Sequence, residues 1–126
     1  MTDGKDTMSD GKSVDEFRKE REALNEVVLK NADLTMKRFW NLDTQTYAAG
    51  HLPKKTKELL GLVASLVLRC DDCVTYHLIQ CKAEGLTTGE LTEALDVGLI
   101  VGGSITIPHI RRAYRGWEEL GRTDAS

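Results

Sequence analysis

Apolar residues recur at helical spacing along almost the whole chain, and no strand-like alternation competes with them. In the first segment Phe17, Leu24, Val27 and Val28 fall on one side. Ser13-Val14-Asp15-Glu16 opens it as a capping box, in which the serine and the glutamate each satisfy a backbone N–H of the first turn. This helix is expected to run to about Lys30, with a short break from Asn31 to Asp33. In a second helix Met36, Phe39 and Trp40 stand at i, i+3 and i+4, and Tyr47 returns to the same face before a turn at Gly50. Phe39 and Trp40 read as core packing rather than as a substrate box.

Leu52-Pro53 starts the third helix, since the donor that proline lacks has no partner in a first turn anyway. Leu59, Leu60, Leu62, Val63, Ala64, Leu66, Val67 and Leu68 then cover nearly every face, the pattern of a central helix surrounded on all sides. A fourth helix is expected to begin near Cys70 to Asp72 and to end at Gly85, a residue suited to a C-cap. Thr87-Thr88-Gly89-Glu90 is a second capping box and opens a helix bearing Leu91, Ala94, Leu95, Val97, Leu99 and Ile100. Gly102-Gly103 breaks that helix, and a last one starts near Pro108 and runs to about Leu120. The expectation is an all-α single domain of about six helices, a bundle with a CxxC at the start of a central helix. Residues 1–12 are polar and lack apolar rhythm, so they read as a disordered tail ahead of a helical domain over 13–122.

Composition narrows the function classes. The chain has 126 residues, of which 40% are hydrophobic and only 6% aromatic, so its core must be aliphatic. Lys and Arg number 17 against 20 Asp and Glu, a net charge of -3 with no long basic run, which argues against nucleic acid as partner. No apolar stretch is long enough for a membrane span and the N-terminus has no apolar signal segment, so a cytoplasmic location is expected. Three cysteines in a reducing compartment argue for a redox or metal site rather than a disulfide framework.

The chemistry concentrates in Cys70-Asp71-Asp72-Cys73-Val74-Thr75-Tyr76-His77. With Cys70 at zero on a helical wheel, Cys73 falls near ~300°, His77 near ~340° and Cys81 near ~20°, all on one face. Thiols three apart at a helix start can close a disulfide, and a nearby base or cation favours the reactive thiolate. Asp71 and Asp72 act both ways: like charge disfavours a thiolate, while acids in a first turn suit the helix dipole that favours one. Glu58 is the one acid at the head of the apolar third helix. Two readings of it stand, an exposed partner of Lys54 at i,i+4 or a carboxylate packed against the dithiol helix to move protons.

The pattern Glu58, eleven residues, Cys70-Asp71-Asp72-Cys73, three residues, His77 resembles the signature of the alkyl hydroperoxidase D-like branch of the carboxymuconolactone decarboxylase family. The likeness extends through Ala94 to Gly103 and Pro108-His109, about half the chain from Leu52 to Tyr114. It implies an all-helical fold assembling as trimers or hexamers and a peroxidase or disulfide reductase activity without cofactor. It further implies that Glu58 and His77 form a proton relay, Cys73 attacks the peroxide, and Cys70 resolves and faces the partner. Better-studied members carry a His just before the second Cys, where this chain has Asp72.

The expected partners are a small peroxide, a protein or dithiol electron donor, and further copies of the chain, with neither nucleic acid nor membrane. A zinc site built from Cys70, Cys73 and His77, with Glu58 or Cys81 as fourth ligand, is the bland alternative for the same residues, but structural zinc sites usually join separated segments. Cys81 reads as a small buried apolar residue. His109 either lines the same cavity as the dithiol or sits at the surface at its helix start, and Cys81 would share that pocket. His51 reads as a loop residue, and Arg111, Arg112 and Arg115 as a solvated helix face. Rival functions are a non-catalytic redox-responsive or metal-binding protein and lactone decarboxylation, the latter opposed by the CxxC.

Overall fold

A computed structural model describes residues 13–125, and the tail expected over 1–12 lies outside them. The chain is all-α: the described residues hold six α-helices, one short 3-10 turn and no strand. The helices are α1 (Val14–Asn31), α2 (Leu34–Thr46), α3 (Lys54–Val67), α4 (Asp71–Ala83), α5 (Thr88–Gly102) and α6 (Ile107–Ala125), with the 3-10 turn (Ser104–Thr106) before α6. Both capping boxes form, Ser13 with Glu16 and Thr87 with Glu90. Asp33 caps α2 by accepting from the Met36 N–H. Pro53 lies one position before α3, as its N-cap, and α6 runs past Leu120 to Ala125.

Contacts divide the chain into residues 1–48 and 49–126. In the first unit Val14 and Phe17 are buried in the opening turn of α1, whereas Leu24 and Val27 are exposed. No residue of α2 is buried, and Phe39 is 65% exposed. The reading of Phe39 and Trp40 as core is therefore corrected. Their helical spacing marks an apolar face but cannot say whether this chain covers it.

In the second unit α3 packs on α4 and α5, and α4 packs on α6. The core is aliphatic, built from Leu62, Leu66, Val74, Leu78, Leu86, Leu91, Leu95 and Leu120, with Trp117 among them. Gly98 lets α5 come close to α3, since a Cβ there would lie 2.6 Å from Leu66 Cδ2. The expectation that α3 is surrounded on all sides is also corrected: Leu60, Ala64 and Leu68 form an exposed i, i+4, i+8 stripe, with Leu68 76% exposed. On α5, Val97, Ile100 and Val101 are exposed as well.

The α3–α4 turn sets the position of everything that follows. Arg69 takes φ 61°, the left-handed conformation, and its N–H donates to Leu66 O while the Cys70 N–H donates to Ser65 O. Those two bonds are a Schellman termination, usually made with glycine at the left-handed position. Gly85 fills that place at the end of α4, with φ 86° and the same pair of bonds, Gly85 to Lys82 and Leu86 to Cys81.

Candidate active site

Cys70 is at once the last residue of the α3 termination and the N-cap of α4, its Sγ accepting from the Cys73 N–H at 3.3 Å. Cys70 and Cys73 are paired as a disulfide with Cα atoms 5.3 Å apart. Cys73 is exposed and Cys70 partly buried. Both thiols therefore sit at the positive end of the α4 dipole, where a thiolate is favoured.

Along α4 from this pair, His77 belongs to a buried polar chain. Glu58, in the second turn of α3, is 0% exposed, and its Oε1 lies 2.8 Å from His77 Nδ1. Its Oε2 accepts from Lys54 Nζ at 2.8 Å. Bonding to Glu58 holds Lys54 above its ordinary pKa, against the opposing effect of burial. The two sequence readings of Glu58 thus merge: it pairs with Lys54, but from inside, and its other oxygen holds the histidine of α4. A carboxylate on Nδ1 fixes the imidazole orientation and favours the tautomer with its proton on that nitrogen. His77 is buried at the second turn of α4, four residues beyond Cys73 and so one turn from it. The Tyr76 ring meets the His77 ring edge-on, with centroids 5.2 Å apart.

Cys81 is fully buried and unpaired to any other cysteine. Burial first, and the Glu58 charge second, push its thiol up to about 12, so it is inert at ordinary pH.

His109 does not stand loose at a helix start. Its Nδ1 lies 2.7 Å from Asp71 Oδ1, and Arg112 Nε donates to Asp71 Oδ2 at 2.9 Å. Arg112 is thus corrected from a solvated face to the partner of an acid inside the CxxC. No local signal could have found this, because the partners are 38 and 41 residues apart in sequence. Among the described residues no cluster of three or more His, Cys, Asp or Glu side chains is arranged to hold a metal ion. Among the same residues no helix is long and apolar enough to cross a membrane.

The sequence model of the carboxymuconolactone decarboxylase family matches residues 33–116. The chain belongs to that family. The Glu, CxxC and His positions resembling its alkyl hydroperoxidase D-like branch all fall inside the match, which also takes in α2. Two crystal structures of one Thermotoga maritima protein superpose with TM-scores of 0.85 and 0.83 at 55% and 54% identity. They cover 86% of this chain and 96% and 92% of theirs. That protein is described as a carboxymuconolactone decarboxylase family protein with a suggested part in an antioxidative response. A Legionella pneumophila family member, solved in its apo form, gives a TM-score of 0.73 at 25% identity over 84% of this chain and 95% of its own. Among curated proteins, one from the cox locus of Paracoccus denitrificans is 27% identical over 65% of this chain and 74% of its own length. One from Cupriavidus necator is 35% identical over 56% of this chain and 63% of its own length.

Proposed function

We propose that this protein is a thiol-dependent oxidoreductase that reduces peroxides, or the disulfides of partners, through Cys70 and Cys73. The observation that carries the reading is the buried Glu58–His77 hydrogen bond one helical turn below a CxxC at a helix N-terminus. A structural disulfide needs no such pair, whereas a thiol that must ionise and a leaving oxygen that must be protonated do. The suggested antioxidative part of the Thermotoga maritima relative points the same way.

In the peroxidase cycle His77 takes the Cys73 proton, and Glu58 stabilises the imidazolium through Nδ1. The Cys73 thiolate attacks a peroxide oxygen; the O–O bond breaks, the alkoxide takes the proton from His77, and Cys73 is left as a sulfenic acid. The Cys70 thiol attacks that sulfur, water leaves, and the disulfide forms. Two exchange steps with an external dithiol then restore the thiols. The exposure of Cys73 suits it to meet the peroxide. The protein would work as a homo-oligomer, and the exposed apolar residues of α3 and α5 support that reading.

The test is peroxide consumption driven by a dithiol reductant, with the sulfenic acid trapped. Cys73→Ser should abolish both turnover and trapping, and Cys70→Ser should stop turnover while leaving a trappable sulfenic acid. Wild type that cycles between dithiol and disulfide but turns over neither peroxide nor a disulfide substrate would leave a non-catalytic redox-responsive protein.

A further inference from the structure

We propose that His109 and Arg112 of α6 are positioning residues of the dithiol: they hold and neutralise Asp71, and so let the α4 N-terminus favour the Cys70 thiolate in the reduced protein. This deepens the oxidoreductase reading and rests on it.

Asp71 directly follows Cys70 and is the first residue of α4. Left alone, its carboxylate would oppose ionisation of the neighbouring thiol. Yet both of its oxygens are taken up from another helix, Oδ1 by His109 and Oδ2 by Arg112. All three side chains are a quarter exposed or less, so water screens the set only in part. The geometry also assigns the His109 proton. Nδ1 at 2.7 Å from a carboxylate oxygen must donate to it, so the Arg112 NH2 at 3.1 Å from the same nitrogen is a contact and not a second hydrogen bond. His109 then shares the carboxylate with the guanidinium and keeps both oxygens turned toward α6.

The charged and titratable groups around the dithiol can be placed element by element. Arg69 stands in the turn before Cys70, and Asp71 and Asp72 in the first turn of α4. Lys54 and Glu58 come from α3 with His77 below, and His109 and Arg112 from α6. Asp72 is exposed and therefore screened by solvent. Glu58 is already paired with Lys54 and His77. Asp71 is thus the acid whose compensation decides the field at Cys70. When Cys70 ionises it releases one proton to water, and that field sets how readily it does so.

The experiment titrates the reduced full-length protein in a Cys73→Ser background, so that thiolate ultraviolet absorbance and alkylation rate against pH both report Cys70. Cys81 stays out of the measurement, since burial pushes it up to about 12. Arg112→Gln leaves Asp71 short of its cation, so the midpoint should rise by about half a pH unit to one unit, and alkylation at neutral pH should slow about three- to tenfold. Asp71→Asn leaves Arg112 uncompensated, and the midpoint should fall by a similar amount; the double variant should return close to wild type. A contact that only tied α6 to α4 would change unfolding without moving any midpoint. If Arg112→Gln fails to fold, Arg112→Met, which removes the same cation from Asp71 but keeps an unbranched side chain, decides by the same rise. Unchanged midpoints in the folded variants overturn the proposal, even where wild type turns over peroxide. Shifted midpoints without peroxide or disulfide turnover uphold the charge compensation and overturn the oxidoreductase reading instead.

Discussion

Replacing Glu58 by Gln is nearly isosteric, but the surroundings make it far from neutral. Both carboxylate oxygens accept from strong donors, His77 Nδ1 and Lys54 Nζ, each at 2.8 Å, in a side chain that is 1% exposed. An amide offers one acceptor and one donating group in their place. If its oxygen stays on Lys54, its NH2 faces His77 Nδ1, which must then accept, and the imidazole proton moves to Nε2. The nitrogen needed to take a proton from Cys73 is then already protonated. If the oxygen stays on His77, the NH2 meets the Lys54 ammonium, donor against donor. Either way one charge-assisted bond is lost in a buried site, a cost of about 1–3 kcal/mol in stability.

The fold should survive that loss while turnover falls by roughly one hundredfold or more, the usual worth of a positioned proton carrier. Dithiol-driven peroxide consumption gives the rate, and denaturant unfolding gives the stability. His77→Asn should act in the same direction, and the double variant should lose less than the product of the two, because the pair works as one unit. Full turnover in folded Glu58→Gln would refute the relay. Glu58 would then be the buried anchor of Lys54 and His77, and the chemistry would shrink to the dithiol with its histidine.

Four further outcomes are expected. The folded state keeps the Cys81 thiol protonated to about 12, whereas the unfolded chain releases that proton from 9.0. The folded state therefore binds more protons in that window, and the stability difference between wild type and Cys81→Ala should shift against wild type there by about 1.4 kcal/mol per pH unit, read from unfolding curves across the range. Arg69→Gly should stabilise the fold by about 0.5–1 kcal/mol in chemical denaturation, since relief of a left-handed non-glycine residue exceeds the added unfolded-state entropy. Gly98→Ala should destabilise it by about 1–3 kcal/mol, because the new methyl group collides with Leu66 at 2.6 Å. Light scattering should report a multimer at micromolar concentration, and a protomer-sized particle would leave the exposed Leu60, Leu68, Ile100 and Val101 without a cover.

What could be read from the sequence was what local rules decide. The capping boxes at Ser13 and Thr87 and the glycine ending α4 are short-range signals, and each marks a real helix boundary. The boundary between α3 and α4 was legible from the apolar run that stops at Leu68, although arginine and not glycine takes the left-handed position there. Periodicity placed Leu60, Leu68, Phe39 and Trp40 on apolar faces, but it records affinity for an apolar surface and not who supplies it. The net effect of Asp71 on the thiols stays open in the sequence because its partners lie on a helix whose approach no spacing rule predicts. The two readings of Glu58 are compatible, because a carboxylate has two oxygens and one answers each.

The α3–α4 turn explains why the family spacing has the form it does. Glu58 and His77 meet across two helices joined by a turn of fixed length, so the eleven residues before Cys70 and the three after Cys73 are statements about hairpin geometry. Cys70 closes one helix with its backbone N–H and opens the next with its sulfur, which leaves the dithiol little freedom to drift from the pair below it. The arrangement separates two needs that conflict in a small protein. A thiol that must meet a substrate or a reductant has to reach the surface, and Cys73 does. A proton carrier works best in a fixed tautomer, and Glu58 and His77 are buried where the carboxylate can hold it. One helical turn lies between the two, so in the proposed mechanism the reacting sulfur is exposed while the groups that would manage its proton stay buried.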